Sequence, residues 1–74
     1  MERLREFRKE RGLSQEKMAK ILEITLSMYE KVEGGRAGAS AGFMRRFKKA
    51  FPEASIDYIF FGSNSNKIAV SREV

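Results

Sequence analysis

The sequence contains no cysteine and no histidine. The first absence excludes a disulfide framework, a thiolate nucleophile and any cysteine-based zinc site, zinc fingers included. The second removes imidazole, the usual general base and metal ligand near neutral pH. Carboxylates, lysines and hydroxyls remain, but no acid and base stand paired at a useful spacing. A small carboxylate hydrolase is the weakest reading on that ground, and the expectation is a protein that is not an enzyme and holds no cofactor and no metal. Long apolar runs are also missing. The longest covers residues 59–61, far short of the ~20 that a membrane-spanning helix needs. Residues 1–11 are rich in charge and lack the apolar stretch of a signal peptide. A cytoplasmic protein with no membrane partner is expected.

The 74 residues set a limit of one domain. A chain of this size buries only ~60% of the surface that its unfolded form exposes, so the core is small. Fifteen Lys and Arg oppose ten Asp and Glu, a net charge of +5. Such an excess favours polyanions, nucleic acid before an anionic membrane surface.

One proline and six glycines divide the chain into five segments without an internal repeat. In residues 2–11, Leu4 and Phe7 share a helical face, and Gly12 suits the C-terminal cap beside Arg11. Ser14 is placed to cap a second helix, worth ~1 kcal/mol. Glu16 favours its first turn, while Lys17 stands where a full capping box would have Glu or Gln. Met18, Ala19, Ile21 and Leu22 supply that helix with a buried stripe ending near Leu22 or Glu23. Thr25 caps a third, with Leu26, Tyr29 and Val32 at i, i+3, i+6, Met28 beside them, and a stop at Gly34–Gly35. Ser40 caps a fourth, in which Phe43, Met44, Phe47, Ala50 and Phe51 form an apolar face. Arg45, Arg46, Lys48 and Lys49 fill most of its other positions, and Pro52 ends it. Ser55 opens a fifth, with Ile56, Ile59 and Phe60, ending near Gly62. Residues 63–74 form a polar tail, disordered, a short strand or a dimerisation extension.

Residues 13–40 resemble the phage repressor and Cro-like, or XRE, helix-turn-helix family. The resemblance rests on an ordered series. It opens with Leu13-Ser14-Gln15-Glu16 and continues through Met18, Ala19, Leu22, Ile24, Thr25 and Ser27. It closes with Tyr29, Val32-Glu33, Gly35-Arg36 and Ser40. It implies an all-α, five-helix lambda-repressor-like helix-turn-helix domain over residues 1–62. Ala19 then sits at a helix crossing that a larger side chain would force apart. Ile24 lies under the turn, and Tyr29 and Val32 hold the third helix on the scaffold. The chain departs from the family at the turn, where the usual glycine is Glu23, and before helix four, where Gly38-Ala39-Ser40 replaces an ending in Pro-Ser. A non-glycine residue in a left-handed turn costs ~1–2 kcal/mol.

The resemblance also implies double-stranded DNA as partner, with the third helix in the major groove. Leu26, Ser27, Glu30 and Lys31 are its candidate base readers, Leu26 on a thymine methyl and Glu30 on a cytosine amino group. Gln15, Lys17, Thr25, Arg36 and Ser40 are candidate phosphate contacts, aided by the positive end of helix four. Each serine and threonine named serves equally well as a plain cap, and the basic residues as a solvated face. Residues 12–33 carry three positive and four negative side chains, whereas residues 34–51 carry five positive and none negative. The implied role is a bacterial or phage transcriptional regulator, a repressor by site occupancy. Such proteins commonly act as homodimers, here through Tyr58, Ile59, Phe60, Phe61 and the tail. A protein-interaction module on the same fold, such as an antitoxin, is the alternative, favoured by the near-neutral motif and the apolar C-terminal stretch.

Overall fold

A computed structural model describes residues 1–62. They form five helices and, among the described residues, no strand: α1 (Glu2–Glu10), α2 (Gln15–Leu22), α3 (Leu26–Glu33), α4 (Ala41–Ala50) and α5 (Ile56–Phe61). The expectations for the tail at 63–74 lie outside the described residues. No helix of the described residues is long and apolar enough to cross a membrane.

Four of the five helices begin on a hydroxyl cap. Ser14 Oγ accepts from the Lys17 amide, Thr25 Oγ1 from Met28 and Ser40 Oγ from Phe43, each at 3.1 Å, and Ser55 Oγ from Tyr58 at 3.2 Å. Each bond satisfies one of the amides that a helix start leaves unpaired. The ends of α1 and α2 also follow one pattern. At α1, the Gly12 amide donates to the Lys9 carbonyl and Leu13 to Arg8. At α2, Glu23 donates to Lys20 and Ile24 to Ala19. Both are paired returns around a left-handed residue.

In α1 that residue is Gly12, at φ +68°; in α2 it is Glu23, at φ 61° and ψ 42°. The turn therefore keeps the conformation that glycine prefers and accepts the strain of a side chain. Arg46 sits beside it, 3.4 Å from the Leu22 carbonyl and 3.5 Å from that of Glu23. Its 3.5 Å contact with the exposed Glu23 carboxylate adds little in solvent. Glu23→Gly is expected to stabilise the domain by ~0.5–1 kcal/mol after allowing for the greater freedom of glycine when unfolded. Thermal melting checks this; a midpoint raised by ~2–8 °C is expected, and one that falls would show that the Glu23 side chain matters more than the strain.

Leu4, Met18, Ala19, Leu22, Tyr29, Val32, Phe43, Phe47, Phe51, Ala54 and Ile59 make the core. Phe47 is its centre. Rings of Phe7, Phe60 and Phe51 lie 5.1, 5.2 and 5.3 Å away, in tilted or edge-on arrangements. Ile21 is a correction: it is exposed, because Met18, Ala19 and Leu22 define the inward face of α2 and position 21 falls to its side. A second correction concerns the dimer candidates. Ile59 is buried, and half-buried Phe60 packs edge-on against Phe43 and Phe47. At helical spacing these two turn inward with Ile56, which leaves Tyr58 and Phe61 outside.

Candidate nucleic-acid interface

The geometry of α3 follows from three residues. Tyr29, Val32 and Glu33 fall on one face and are buried. Ser27 and Lys31 stand opposite and are exposed. Leu26, 40% exposed, flanks them on one side and Met28, 46% exposed, on the other. Glu30 departs from expectation: it is half-buried at the edge of the face rather than fully outward. Thr25 is exposed and uses a lone pair for its cap, so its O–H is still a donor.

The chain leaves α3 through two glycines. A side chain at position 34 would come within 3.0 Å of the Glu30 carbonyl, and Gly35 is at φ +83°. This tight exit lets the Lys31 carbonyl accept from both the Arg36 amide, at 2.9 Å, and the Ala37 amide, at 3.1 Å. Arg36 is thereby held, exposed, next to the C-terminal end of α3. A groove of about 310 Å³ between α3 and α4 brings Met28 alongside Ala37, Ser40, Phe43 and Arg46.

The basic residues of α4 divide by use. Arg46 covers the end of α2, and Lys48 donates to the carbonyls of Pro52 and Ala54 at 2.9 and 3.3 Å. Arg45 and Lys49 are exposed. Lys17, in the first turn of α2, is exposed as well.

Gln15 is placed differently from expectation. Its Nε2 donates to Glu33 Oε1 at 2.9 Å, so one of its two N–H groups is engaged inside the protein. Glu33 is 1% exposed and gathers three helices. From α1, Arg8 donates through Nε to Oε2 at 2.8 Å and through Nη2 to Oε1 at 3.2 Å. From α3 itself, Tyr29 Oη donates to Oε2 at 2.5 Å. Arg8 also donates to the Leu13 carbonyl at 2.8 Å, and Arg5 Nε lies 3.8 Å from Oε1. Burial opposes the Glu33 charge, but the hydrogen bonds from Arg8, Tyr29 and Gln15 outweigh it and hold the carboxyl below its usual range. Desolvation, then the hydrogen bond to Glu33, pushes the Tyr29 phenol well up. Bonding to Glu33 likewise raises Arg8 against its own desolvation. The sequence carries one signal of this network: Glu33 continues the stripe of Tyr29 and Val32, and an acid on a buried stripe needs a partner.

A family model described as a helix-turn-helix domain matches residues 1–58. No curated protein and no solved structure matches the chain.

Proposed function

Because this chain belongs to the XRE-like helix-turn-helix family, we propose that it is a sequence-specific double-stranded DNA-binding regulator of transcription, a repressor of bacterial or phage origin. The observation that carries this reading is the outward face of α3. Ser27 and Lys31 stand free of the core, with Leu26 and Met28 at their sides, and exposed Arg36 follows at the end of the helix. A helix entering the major groove needs such a face, with backbone contacts flanking it. The stretch that follows, residues 34–51, carries five positive and no negative side chains; Arg46 and Lys48 are engaged within the fold, and exposed Arg36, Arg45 and Lys49 are left for those contacts. Repression by occupying a site requires no catalysis. Lys17, Thr25, Arg36 and Ser40 are the phosphate contacts of this reading. Gln15 joins them through its remaining N–H, held in place by Glu33. Base reading falls to Leu26, Ser27 and Lys31, with Glu30 reaching from the edge. Tyr58 and Phe61, 48% and 58% exposed, offer an apolar contact for a second copy, which would place two such helices on half-sites ~34 Å apart.

Selection of bound sequences from a random duplex pool tests the reading: enrichment of a defined motif supports it, and no retained duplex at 50 mM salt overturns it. Arg36→Ala should weaken binding similarly on every sequence and lower the slope of log affinity against log salt by ~1 per site. A titration with an unchanged slope would remove Arg36 from the phosphate set.

A further inference from the structure

We propose that the first turn of α3 reads thymine 5-methyl groups, with Met28 joining Leu26 as a specificity-determining residue; this rests on the DNA-binding reading above. The first turn of α3 consists of Leu26, Ser27 and Met28, and all three are exposed. Two of them are large apolar side chains that the fold leaves in water although a core lies next to them. Met28 in particular sits at the mouth of an apolar groove with Ile24, Val32, Ala37 and Phe43, yet stays 46% exposed.

The polar inventory of that turn is short. Thr25 Oγ1 accepts as the cap and has its O–H left for a phosphate, and Ser27 carries a single hydroxyl. Of the side chains that hydrogen-bond base edges in pairs, Arg, Asn and Gln do not occur in α3, and its one Lys, Lys31, lies a turn beyond this one. A helix that enters the major groove by its N-terminal turn brings that turn closest to the bases. There the surface presented by this chain is chiefly hydrocarbon and thioether, and the apolar feature of the major groove is the C5-methyl of thymine. Charge places the same surface against DNA. All five charged side chains of the following residues 34–51 are positive, which suits an apolar reading face held by a polyanionic backbone. Lys31, a turn further on, adds a donor for guanine or phosphate but cannot supply the methyl contact.

The experiment uses the full chain and the duplex obtained by selection, with each thymine replaced in turn by deoxyuridine, which pairs identically but lacks the methyl. The proposal expects a loss of roughly fourfold in affinity for each contacted methyl, the ratio set by burying one methyl-sized group. Leu26→Ala and Met28→Ala should each bind the thymine duplex more weakly and lose discrimination at one position, while both stay folded at the assay temperature because each side chain is only partly covered. Equal affinity for the thymine and uracil duplexes, or full discrimination retained by both variants, overturns the proposal while leaving DNA binding intact. Failure to bind any duplex at 50 mM salt instead overturns the DNA reading, and this inference with it.

Discussion

Replacing Glu33 with alanine is expected to destabilise the domain by about 3–5 kcal/mol, the cost of breaking one side of a buried ion pair. The size follows from what is left behind. The Arg8 guanidinium keeps its bond to the Leu13 carbonyl but loses both bonds to the carboxylate, while its side chain is only 11% exposed. The Tyr29 hydroxyl, also buried, loses its acceptor. A domain of this length holds about 4–11 kcal/mol in all, so the variant is largely unfolded or melts more than ~10 °C lower. Glu33→Gln is expected to fall between the two, because an amide still accepts from Tyr29 without neutralising Arg8. The triple variant Arg8→Met, Glu33→Leu, Tyr29→Phe separates the network from the position. Replacing all the buried polar partners with apolar groups of similar shape should recover most of the loss.

The dependence on pH has a fixed sign. Glu33 is held below its unfolded value of ~4.3. Its contribution is therefore complete above that value and is lost as pH falls through the depressed folded value. Melting curves should show the gap between wild type and Glu33→Ala constant above about pH 5 and narrowing below pH 4. A gap that widens in acid would mean that Glu33 is not the charged centre of this cluster. The network also bears on binding, since the carboxylate of Glu33 fixes Gln15 at the start of α2 relative to the outward face of α3.

Features with local causes were legible from the sequence. Ser14, Thr25, Ser40 and Ser55 each cap the helix they precede, because the bond runs only to the third residue beyond. Gly12 marks a left-handed position for the same reason, whereas Glu23 carries no such local sign, and its left-handed backbone is known from the structure. The inward face of α4 follows from Phe43, Phe47 and Ala50 over about two turns. Periodicity is weaker where a segment is short or apolar all round. In the two turns of α2, Ile21 is as apolar as Leu22, and only the packing of α3 and α4 against α2 decides between them. Residues 59–61 are apolar at every position and follow aromatic Tyr58, so hydropathy cannot choose which face turns inward, and Ile59 and Phe60 prove to be the ones that do. Glu33 depends on Arg8, 25 residues earlier, and no local pattern announces a partner at that distance. For the candidate site, the outward positions of Ser27 and Lys31 follow from helical geometry. The inward turn of Gln15 and the exposure of Met28 depend on contacts between helices.

Lys31→Glu is expected to lower DNA affinity by about a hundredfold while leaving the fold in place. Lys31 lies opposite the buried face of α3, and its ammonium has no hydrogen bond or ion pair among the described residues. The substitution removes a contact worth about 1–3 kcal/mol at a base edge or phosphate. It also sets a carboxylate against the phosphate array, which adds roughly 1 kcal/mol of repulsion at a few ångströms in water. The second part is screened by salt, so the defect should shrink as ionic strength rises, whereas the loss of a base contact persists. Lys31→Ala isolates that persistent part and should show a smaller defect together with relaxed sequence choice. Stability provides the control. An acid near the C-terminal end of α3 opposes the helix dipole by ~0.3–1 kcal/mol, which limits the fall in melting temperature to about 8 °C. If Lys31→Glu binds the selected duplex as tightly as wild type does, α3 does not enter the groove by this face. The opposite face is closed to DNA, since Tyr29, Val32 and Glu33 fill it with core and network contacts. Retained affinity would then move the nucleic-acid surface to the exposed basic positions of α4 that make no side-chain bond among the described residues, Arg45 and Lys49.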